Sequence, residues 1–348
     1  MTNKIRLLIT DDSLLFRNVL KNELSKDPSI EVIGMAVDPI DAMEKIKLSD
    51  PDIITLDIEM PKMDGLTFIK KLMSEHPIKV VLVSSMNISV FDALQSGAVD
   101  FVRKPDMSSD NDFQAFIKEL KTKIKIASIA KLITFKGLKQ KDTTAYTGSM
   151  SDRYRVKLSA NEIIAIGAST GGTEATLKII KELPENFPPI LITQHMPAGF
   201  TKMYADRLDR ICNIEVREAV DGDRVRQGVA LLAPGDKQMR LKKDEKGYYV
   251  ACKKGEKVSG HCPSVDVLFD SVAELAAKDS VGIILTGMGR DGASGLLNMK
   301  KAGAFTIGQD EKTSVVYGMP MVAYNIGAVA VKAAIEDISD ILIKHLTK

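Results

Sequence analysis

Short apolar runs rich in β-branched residues alternate with amphipathic stretches along this chain of 348 residues. The alternation is typical of parallel α/β sheets, in which a helix crosses back between successive strands. It occurs in two blocks, which are separated by a lysine-rich, polar segment. At roughly 100–200 residues per domain, the length also allows two domains. The sequence therefore predicts domains over residues 1–124 and 159–348, joined by a linker over residues 125–158.

In the first block, five candidate strands predict a doubly wound parallel sheet. They cover residues 5–10, 30–36, 53–57, 80–84 and 101–102. Each run ends in or is followed by polar residues, and the carboxyl ends of parallel strands lie at one edge of the sheet. Side chains that carry out chemistry are therefore expected to gather there from distant parts of the sequence.

Three carboxylates are predicted at this edge, those of Asp11, Asp12 and Asp57. Their mutual repulsion would be relieved by a hard divalent cation such as Mg²⁺. A metal beside a carboxylate indicates phosphoryl transfer to one of them, and Ser84 and Lys104 would contact the phosphoryl oxygens. Each residue alone has an ordinary structural explanation, such as a helix cap, a turn or a solvated lysine. Their order at successive strand ends favours the phosphoryl site.

Residues 4–123 resemble a response-regulator receiver domain. The stretch from Asp57 to Gly65, which reads DIEMPKMDG, is a specific signature of that family. The resemblance implies that Asp57 accepts a phosphoryl group from a histidine kinase, with Mg²⁺ as cofactor. It also implies that Phe101, before the Lys104–Pro105 turn, reorients its ring on phosphorylation.

The second block again reads as a mostly parallel α/β sheet, with one β-hairpin excursion. The candidate strands cover residues 163–167, 190–194, 229–233 and 281–286, and the hairpin covers residues 239–253. Four helices are predicted beside them, over residues 173–183, 200–210, 265–277 and 292–302.

Ser169 lies in the sequence GASTGG, on a tight turn between the first of these strands and a helix. This is a typical position for a nucleophile, and glycines on both sides would let the chain turn and leave room for a substrate. The serine could instead cap the helix. A dinucleotide loop is a further alternative, since Gly167 and Gly172 occupy the outer positions of G-x-G-x-x-G. Ser169 in place of the middle glycine disfavours it.

A serine nucleophile needs a base and an acid that orients the base. His195 follows the strand over residues 190–194, at the same predicted edge as Ser169, and is favoured over the alternative, His261. Asp291 follows the strand over residues 281–286 and is the candidate acid. The backbone N–H of Met288, in the same loop, is a candidate oxyanion donor.

Five motifs in this block resemble the catalytic domain of CheB-type chemotaxis methylesterases. They are GASTGG, QHMP, APG, PSVD and TGMGRDG, at residues 167–172, 194–197, 233–235, 263–266 and 286–292. The resemblance implies an α/β Rossmann-like methylesterase domain with a Ser169–His195–Asp291 triad. It also implies that the enzyme hydrolyses glutamate γ-methyl esters on chemoreceptors, releasing methanol, and deamidates receptor glutamines, with no cofactor for these reactions.

Together the two resemblances predict a serine hydrolase of chemotaxis adaptation. A chemotaxis histidine kinase would be the phosphodonor, and phosphorylation of Asp57 would relieve steric covering of the serine site. A response regulator that only docks on receptors is the alternative. Arg207 and Arg210 would either steer acidic receptor segments or lie on a solvated helix face.

The composition excludes some partners. A formal net charge of +2 gives no field that indicates binding to nucleic acid or anionic lipid. No apolar run approaches the roughly 20 residues that span a bilayer, and no signal peptide is evident.

The three cysteines lack the spacing of a zinc or redox motif, and we assign Cys262 no role. We expect a cytoplasmic monomer, with no nucleic-acid partner and no direct membrane insertion.

Overall fold

The computed structural model describes residues 4–60, 65–85, 89–106, 109–132 and 162–347. The chain divides into two compact units, within residues 1–138 and 139–348. Most of the predicted linker lies outside the described residues, as do residues 61–64 of the receiver signature. The two α/β blocks predicted from the sequence are confirmed.

The first unit contains a parallel sheet of five strands in the order β2-β1-β3-β4-β5. The strands are β1 (Ile5–Thr10), β2 (Ile30–Ala36), β3 (Ile53–Leu56), β4 (Lys79–Ser84) and β5 (Asp100–Arg103). The helices are α1 (Leu14–Leu24), α2 (Pro39–Ser49), α3 (Gly65–Glu75), α4 (Ser89–Gln95) and α5 (Asp110–Ile129). Helix α5 continues past residue 124, where the sequence analysis ended the first domain.

The sheet of the first unit is apolar on both faces because helices cover both. In β1, for example, Leu7, Leu8 and Ile9 are fully buried. Side chains just after the strands start the helices: Ser13 accepts a hydrogen bond from the N–H of Phe16 at the start of α1. The strand ends are thereby fixed in a short strand-to-helix turn, which is where the polar residues lie.

The second unit has a parallel sheet of seven strands in the order β14-β13-β12-β6-β7-β9-β8, and a separate antiparallel hairpin, β10–β11. The strands are β6 (Ile163–Ala168), β7 (Ile190–Gln194), β8 (Glu215–Glu218), β9 (Val229–Leu232), β10 (Gln238–Asp244), β11 (Gly247–Lys253), β12 (Ser280–Ile284), β13 (Phe305–Gln309) and β14 (Val331–Ala333). The helices are α6 (Gly172–Ile180), α7 (Phe200–Ile211), α8 (Val265–Leu275), α9 (Ala293–Lys301), α10 (Met319–Asn325) and α11 (Ile338–Leu346).

Strand β6 lies at the point where the strand order reverses. The chain runs from β6 to β7 on one side of it, and only much later enters β12 on its other side. Loops leaving the carboxyl ends of these strands therefore diverge and leave a crevice, which is the usual ligand position in open α/β sheets. The predicted hairpin is confirmed, and its inner face packs with α8 in one apolar core.

Among the described residues, no helix is both long enough and apolar enough to cross a membrane.

Phe269 tests the packing between α8 and the rest of the second unit, because its side chain is fully buried in that core. Phe269→Ala should lower the free energy of unfolding of this unit by about 3–5 kcal/mol, through lost burial and a residual cavity. Glu274→Ala, at an exposed position of the same helix, should change it by less than about 0.5 kcal/mol. Urea unfolding followed by circular dichroism measures both, and equal effects of the two substitutions would contradict this packing.

Candidate active site

Three neighbouring strand ends meet in the second unit. Ala168 and Gln194 are register partners in β6 and β7, so Ser169 and His195 come directly after two adjacent strands. The His195 N–H donates to the Ala168 carbonyl at 3.1 Å, and the Ser169 N–H donates to the Thr286 carbonyl at 3.0 Å. These backbone bonds extend the ladder beyond the strands and hold the serine between the β7 and β12 ends.

The turn at Ser169 is closed by its own carbonyl, which accepts the Gly172 N–H at 2.7 Å. Gly171 takes the left-handed conformation the turn requires, with φ +76°, so the serine itself is not strained. Gly167 and Gly172 do not leave the open space expected from the sequence. A Cβ at Gly167 would lie 2.1 Å from Cγ1 of Val265, and one at Gly172 would lie 2.4 Å from Oε1 of Gln194. Their lack of side chains allows close packing instead.

His195 pairs with Asp291, as predicted for a base and its orienting acid. The Nε2 atom of His195 lies 2.7 Å from Oδ2 of Asp291, and both side chains are buried. The other ring nitrogen, Nδ1, is buried and has no hydrogen-bond partner among the described residues. With Nε2 holding the proton toward the carboxylate, Nδ1 is left with the lone pair. This is the reverse of the ring orientation in chymotrypsin-type triads.

Asp291 lies against the N-terminus of α8, where the first backbone N–H groups have no partner within the helix. Its carboxylate accepts hydrogen bonds from Ser264 Oγ at 2.8 Å and from the N–H groups of Val265 and Asp266 at 2.8 and 3.0 Å. Burial would raise the pKa of Asp291, but the hydrogen bond and charge of His195 and the two backbone donors outweigh burial and lower the pKa to about 2.

Helices α8 and α9 exchange caps: an acidic side chain from the start of each segment accepts a hydrogen bond at the N-terminus of the other helix. Asp266, in the first turn of α8, accepts the Gly295 N–H of α9 at 2.8 Å, while Asp291, just before α9, caps α8. Burial raises the pKa of Asp266 above its ordinary value, with the nearby Asp291 charge contributing. The exchange fixes the position of Asp291 relative to both helices.

His261, the alternative base considered from the sequence, lies beside His195. Its ring stacks on that of His195 with centroids 3.6 Å apart and planes 6° apart. The loop holding it is a tight turn in which Val258 and His261 exchange both backbone hydrogen bonds, at 2.9 and 3.0 Å. The stacked ring limits rotation of the His195 imidazole.

The loop after β12 approaches the serine closely. A Cβ at Gly287 would lie 2.6 Å from Cβ of Ser169, so only glycine fits there. The Gly287 carbonyl accepts the Gly318 and Met319 N–H groups at 3.1 and 2.8 Å, which fixes the peptide leading into Met288. The N–H of Met288, which the sequence predicts as an oxyanion donor, belongs to this peptide.

The acidic residues of the first unit also gather at the carboxyl edge of their sheet. Ligand oxygens of Asp11, Asp12 and Asp57 all lie within 4.8 Å of one another. Lys104 Nζ forms ion pairs with Asp57 Oδ2 at 2.6 Å and with Asp11 Oδ2 at 2.9 Å. Burial raises the pKa of Asp57, although the hydrogen bond and charge of Lys104 act against it.

Ser84 and Phe101 lie on the adjacent strands β4 and β5. The Ser84 hydroxyl is buried at the end of β4 without a hydrogen-bond partner among the described residues, as expected for a group that awaits another acceptor or donor. Phe101 is buried in β5 and packs edge-on to Phe91 at 6.4 Å between centroids. Hard carboxylate oxygens with a nearby unpaired hydroxyl fit Mg²⁺ and a phosphoryl group.

Some residues of the site could not be assigned from the sequence. The S-x-D pattern at Ser264 and Asp266 is a helix-start signal, but its link to Asp291 requires tertiary structure. Arg207, considered for substrate steering, is buried and paired with Glu174 at 3.2 Å, so it is neither solvated nor available. The thiol of Cys262 lies in the His261 loop, and burial raises its pKa.

Two family models match the chain. The CheB methylesterase model matches residues 164–342 and the response regulator receiver domain model matches residues 7–113. The crystal structure of the Thermotoga maritima CheB methylesterase catalytic domain superimposes with a TM-score of 0.52 at 38% identity, covering 54% of this chain and 100% of that one.

Curated relatives match over nearly the whole length. The protein-glutamate methylesterase/protein-glutamine glutaminase 2 of Syntrophomonas wolfei is 51% identical over 345 residues, covering 99% of this chain and 98% of the relative. The protein-glutamate methylesterase/protein-glutamine glutaminase of Escherichia coli K12 is 44% identical over 350 residues, covering 99% and 97%. With both domains matched in order, the chain belongs to the CheB methylesterase family of receiver-containing enzymes.

Proposed function

We propose that this chain hydrolyses glutamate γ-methyl esters on chemoreceptors, and deamidates receptor glutamines, through a Ser169–His195–Asp291 triad. The observation that carries the proposal is the His195 ring, which is held by Asp291 through Nε2 while Nδ1 stays buried and unpaired beside the Ser169 strand end. A free imidazole lone pair at that position is the base that a serine nucleophile requires.

In the first half-reaction, His195 Nδ1 takes the proton from Ser169 Oγ as the oxygen attacks the ester carbonyl carbon. The carbonyl electrons move onto oxygen, and the Met288 N–H donates to this oxyanion. The tetrahedral intermediate then collapses. The bond between the carbonyl carbon and the methoxy oxygen breaks, Nδ1 donates its proton to that oxygen, and methanol leaves. Loss of one oxyanion donor of this kind typically costs about 10²–10³ in rate.

In the second half-reaction, water replaces the serine. His195 Nδ1 removes a proton from water as it attacks the acyl carbon, and then protonates Ser169 Oγ as that bond breaks. The products are the glutamate carboxylate and the free serine. Attack on a glutamine amide follows the same course, with ammonia as the leaving group. Throughout, the Asp291 carboxylate accepts the hydrogen bond from Nε2–H and stabilises the imidazolium, without taking up the proton.

We propose that the carboxylate cluster of Asp11, Asp12 and Asp57 controls the esterase activity. Asp57 accepts a phosphoryl group from a chemotaxis histidine kinase, and Asp11, Asp12 and Asp57 would hold Mg²⁺, which neutralises charge on the phosphoryl oxygens when bound. Lys104 would contact one phosphoryl oxygen, and the unpaired Ser84 hydroxyl another. We propose that Phe101 reorients with these contacts and that phosphorylation raises esterase activity.

The domain boundaries that accompany this proposal are 1–124 for the receiver, 125–158 for the linker and 159–348 for the methylesterase domain. A cytoplasmic monomer, with no cofactor for the esterase reaction, fits substrates on the cytoplasmic part of receptors.

Ser169→Ala removes the attacking oxygen and should lower methanol release from methylated receptor membranes by at least about 10³-fold, with the fold unchanged. Cys262→Ser is the control for a thiol nucleophile in the neighbouring loop and should retain activity within about twofold. Gas chromatography of methanol measures both. Near-normal release by Ser169→Ala would rule out the triad, and no release by the wild-type chain would favour a regulator that only binds receptors.

Asp291→Asn should lower kcat by roughly 10³–10⁴-fold, because the amide presents a donor to Nε2 and favours the tautomer that carries the proton on Nδ1. The variant should retain the overall fold by circular dichroism. Unchanged kcat would show that His195 does not depend on this carboxylate.

The same residue sets a pH dependence of stability. The pKa of Asp291 is about 2 in the folded chain, below its ordinary value of 3.8. The stabilisation that the ionised carboxylate adds to the free energy of unfolding is therefore present above about pH 4 and is lost as the pH falls toward 2. The expected loss is about 2 kcal/mol of unfolding free energy. Urea unfolding of the second unit at several pH values measures it. Asp291→Asn should lack this component, and an identical acid profile in variant and wild type would contradict the assignment.

Acetyl phosphate with Mg²⁺ should raise methanol release by the wild-type chain severalfold and leave Asp57→Asn at its basal rate, because the amide cannot be phosphorylated. Asp52→Asn, at an exposed aspartate of the same unit, is the matched control and should respond as the wild type does. Stimulation of Asp57→Asn to the same extent as the wild type would show that activation does not require phosphorylation of Asp57.

A further inference from the structure

The β10–β11 hairpin has one buried face and one exposed, concave face. Side chains alternate along a strand, and Met239 and Leu241 are buried in the core of the second unit. Arg240 and Lys242 alternate with them and are exposed. Together with Lys253 they line a groove of about 370 Å³ on the outer face of the hairpin. The hairpin therefore presents a shaped surface as well as a core face.

This groove, which we call the hairpin groove, has an excess of positive charge. Arg240, Lys242, Lys253 and Lys254 line it, against the single acid Glu256. The four cations make no ion pair with any of the residues the structure describes. The whole chain has a formal net charge of only +2, so this local excess is not a general property of the surface. Unpaired cations in a concave surface attract anionic partners.

The hairpin groove is directly connected to the catalytic residues through Gln238, at its floor. The Gln238 side-chain amide donates to the carbonyls of Glu256 and His261 at 3.0 and 3.1 Å, and its oxygen accepts the Ser264 N–H at 2.9 Å. His261 stacks on His195, and Ser264 hydrogen-bonds Asp291. One side chain thus bridges the groove and the loop that supports the triad.

We propose that the hairpin groove binds an acidic segment of the substrate protein and positions its esterified glutamate at Ser169; this rests on the proposed function. A segment that is methylated at glutamates is anionic wherever its other glutamates are free. The groove offers complementary charge that Gln238 links to the His261 loop beside His195, whereas Arg207, one of the two cations considered from the sequence, is buried against Glu174. The groove acts on substrate binding and takes no part in the chemical step.

The test uses two synthetic peptides that carry one glutamate γ-methyl ester each. In one the ester is flanked by four glutamates, and in the other by four glutamines. The full-length chain, activated with acetyl phosphate and Mg²⁺, should hydrolyse the acidic peptide with about tenfold higher kcat/KM at low salt. This preference should shrink as ionic strength rises, since salt screens exposed charges.

The triple variant Arg240→Glu, Lys242→Glu, Lys253→Glu should lose the preference for the acidic peptide and keep the kcat/KM for the neutral one. Activity on the neutral peptide also shows that the variant is folded. The matched control is Lys181→Glu, Lys278→Glu, Lys301→Glu. It makes the same change in net charge at exposed positions at or just after the C-terminal ends of α6, α8 and α9, at the opposite edge of the sheet, and should keep the preference.

Three results would overturn the inference: equal hydrolysis of both peptides by the wild type, a preference that the groove variant retains, or an equal loss of preference in both triple variants. These outcomes leave the proposed function intact, because methanol is still released. Absence of methanol from both peptides and from methylated receptor membranes would instead overturn the proposed function, and the inference with it.

Discussion

The sheet edge of the second unit at which Ser169 and His195 lie depends on the buried carboxylate of Asp291. Burying a charge costs several kcal/mol unless hydrogen bonds satisfy it. Here two backbone N–H groups, the Ser264 hydroxyl and the His195 ring all donate to the two oxygens. The donors come from the start of α8 and the end of β7, so a satisfied carboxylate also fixes the helix against the sheet. The orientation of the His195 imidazole follows from this arrangement.

The exchange of carboxylates between α8 and α9 explains why the loop after β12 is so constrained. Asp291 caps α8 while Asp266 caps α9, so neither helix can shift without breaking hydrogen bonds in the other. Gly287, in the same loop, touches Ser169 where no side chain would fit. Asp291, the Met288 peptide and Ser169 are therefore positioned by one connected set of contacts, although Ser169 lies far from the other two in the sequence.

Most of the fold and the triad candidates could be predicted because strands β6, β7 and β12 are long apolar runs that end in distinctive polar residues. Strands β8, β13 and β14 were not predicted: β8 reads EVRE, which has little apolar content, β13 reads FTIGQ, in which polar residues and a glycine interrupt the apolar ones, and β14 has only three residues. The ring orientation of His195, its stacking on His261 and the hairpin groove depend on how loops from different strands meet. No local pattern in the sequence encodes those contacts.

The two sites use the same edge of similar sheets in opposite electrostatic ways. The Asp291 carboxylate is surrounded by donors, which outweigh burial and lower its pKa to about 2. Asp57 has Lys104 but also two neighbouring carboxylates, and burial raises its pKa. Asp291 is therefore a fixed acceptor with both oxygens engaged, suited to orienting a base. The Asp57 cluster retains an excess of negative charge that a divalent cation would relieve.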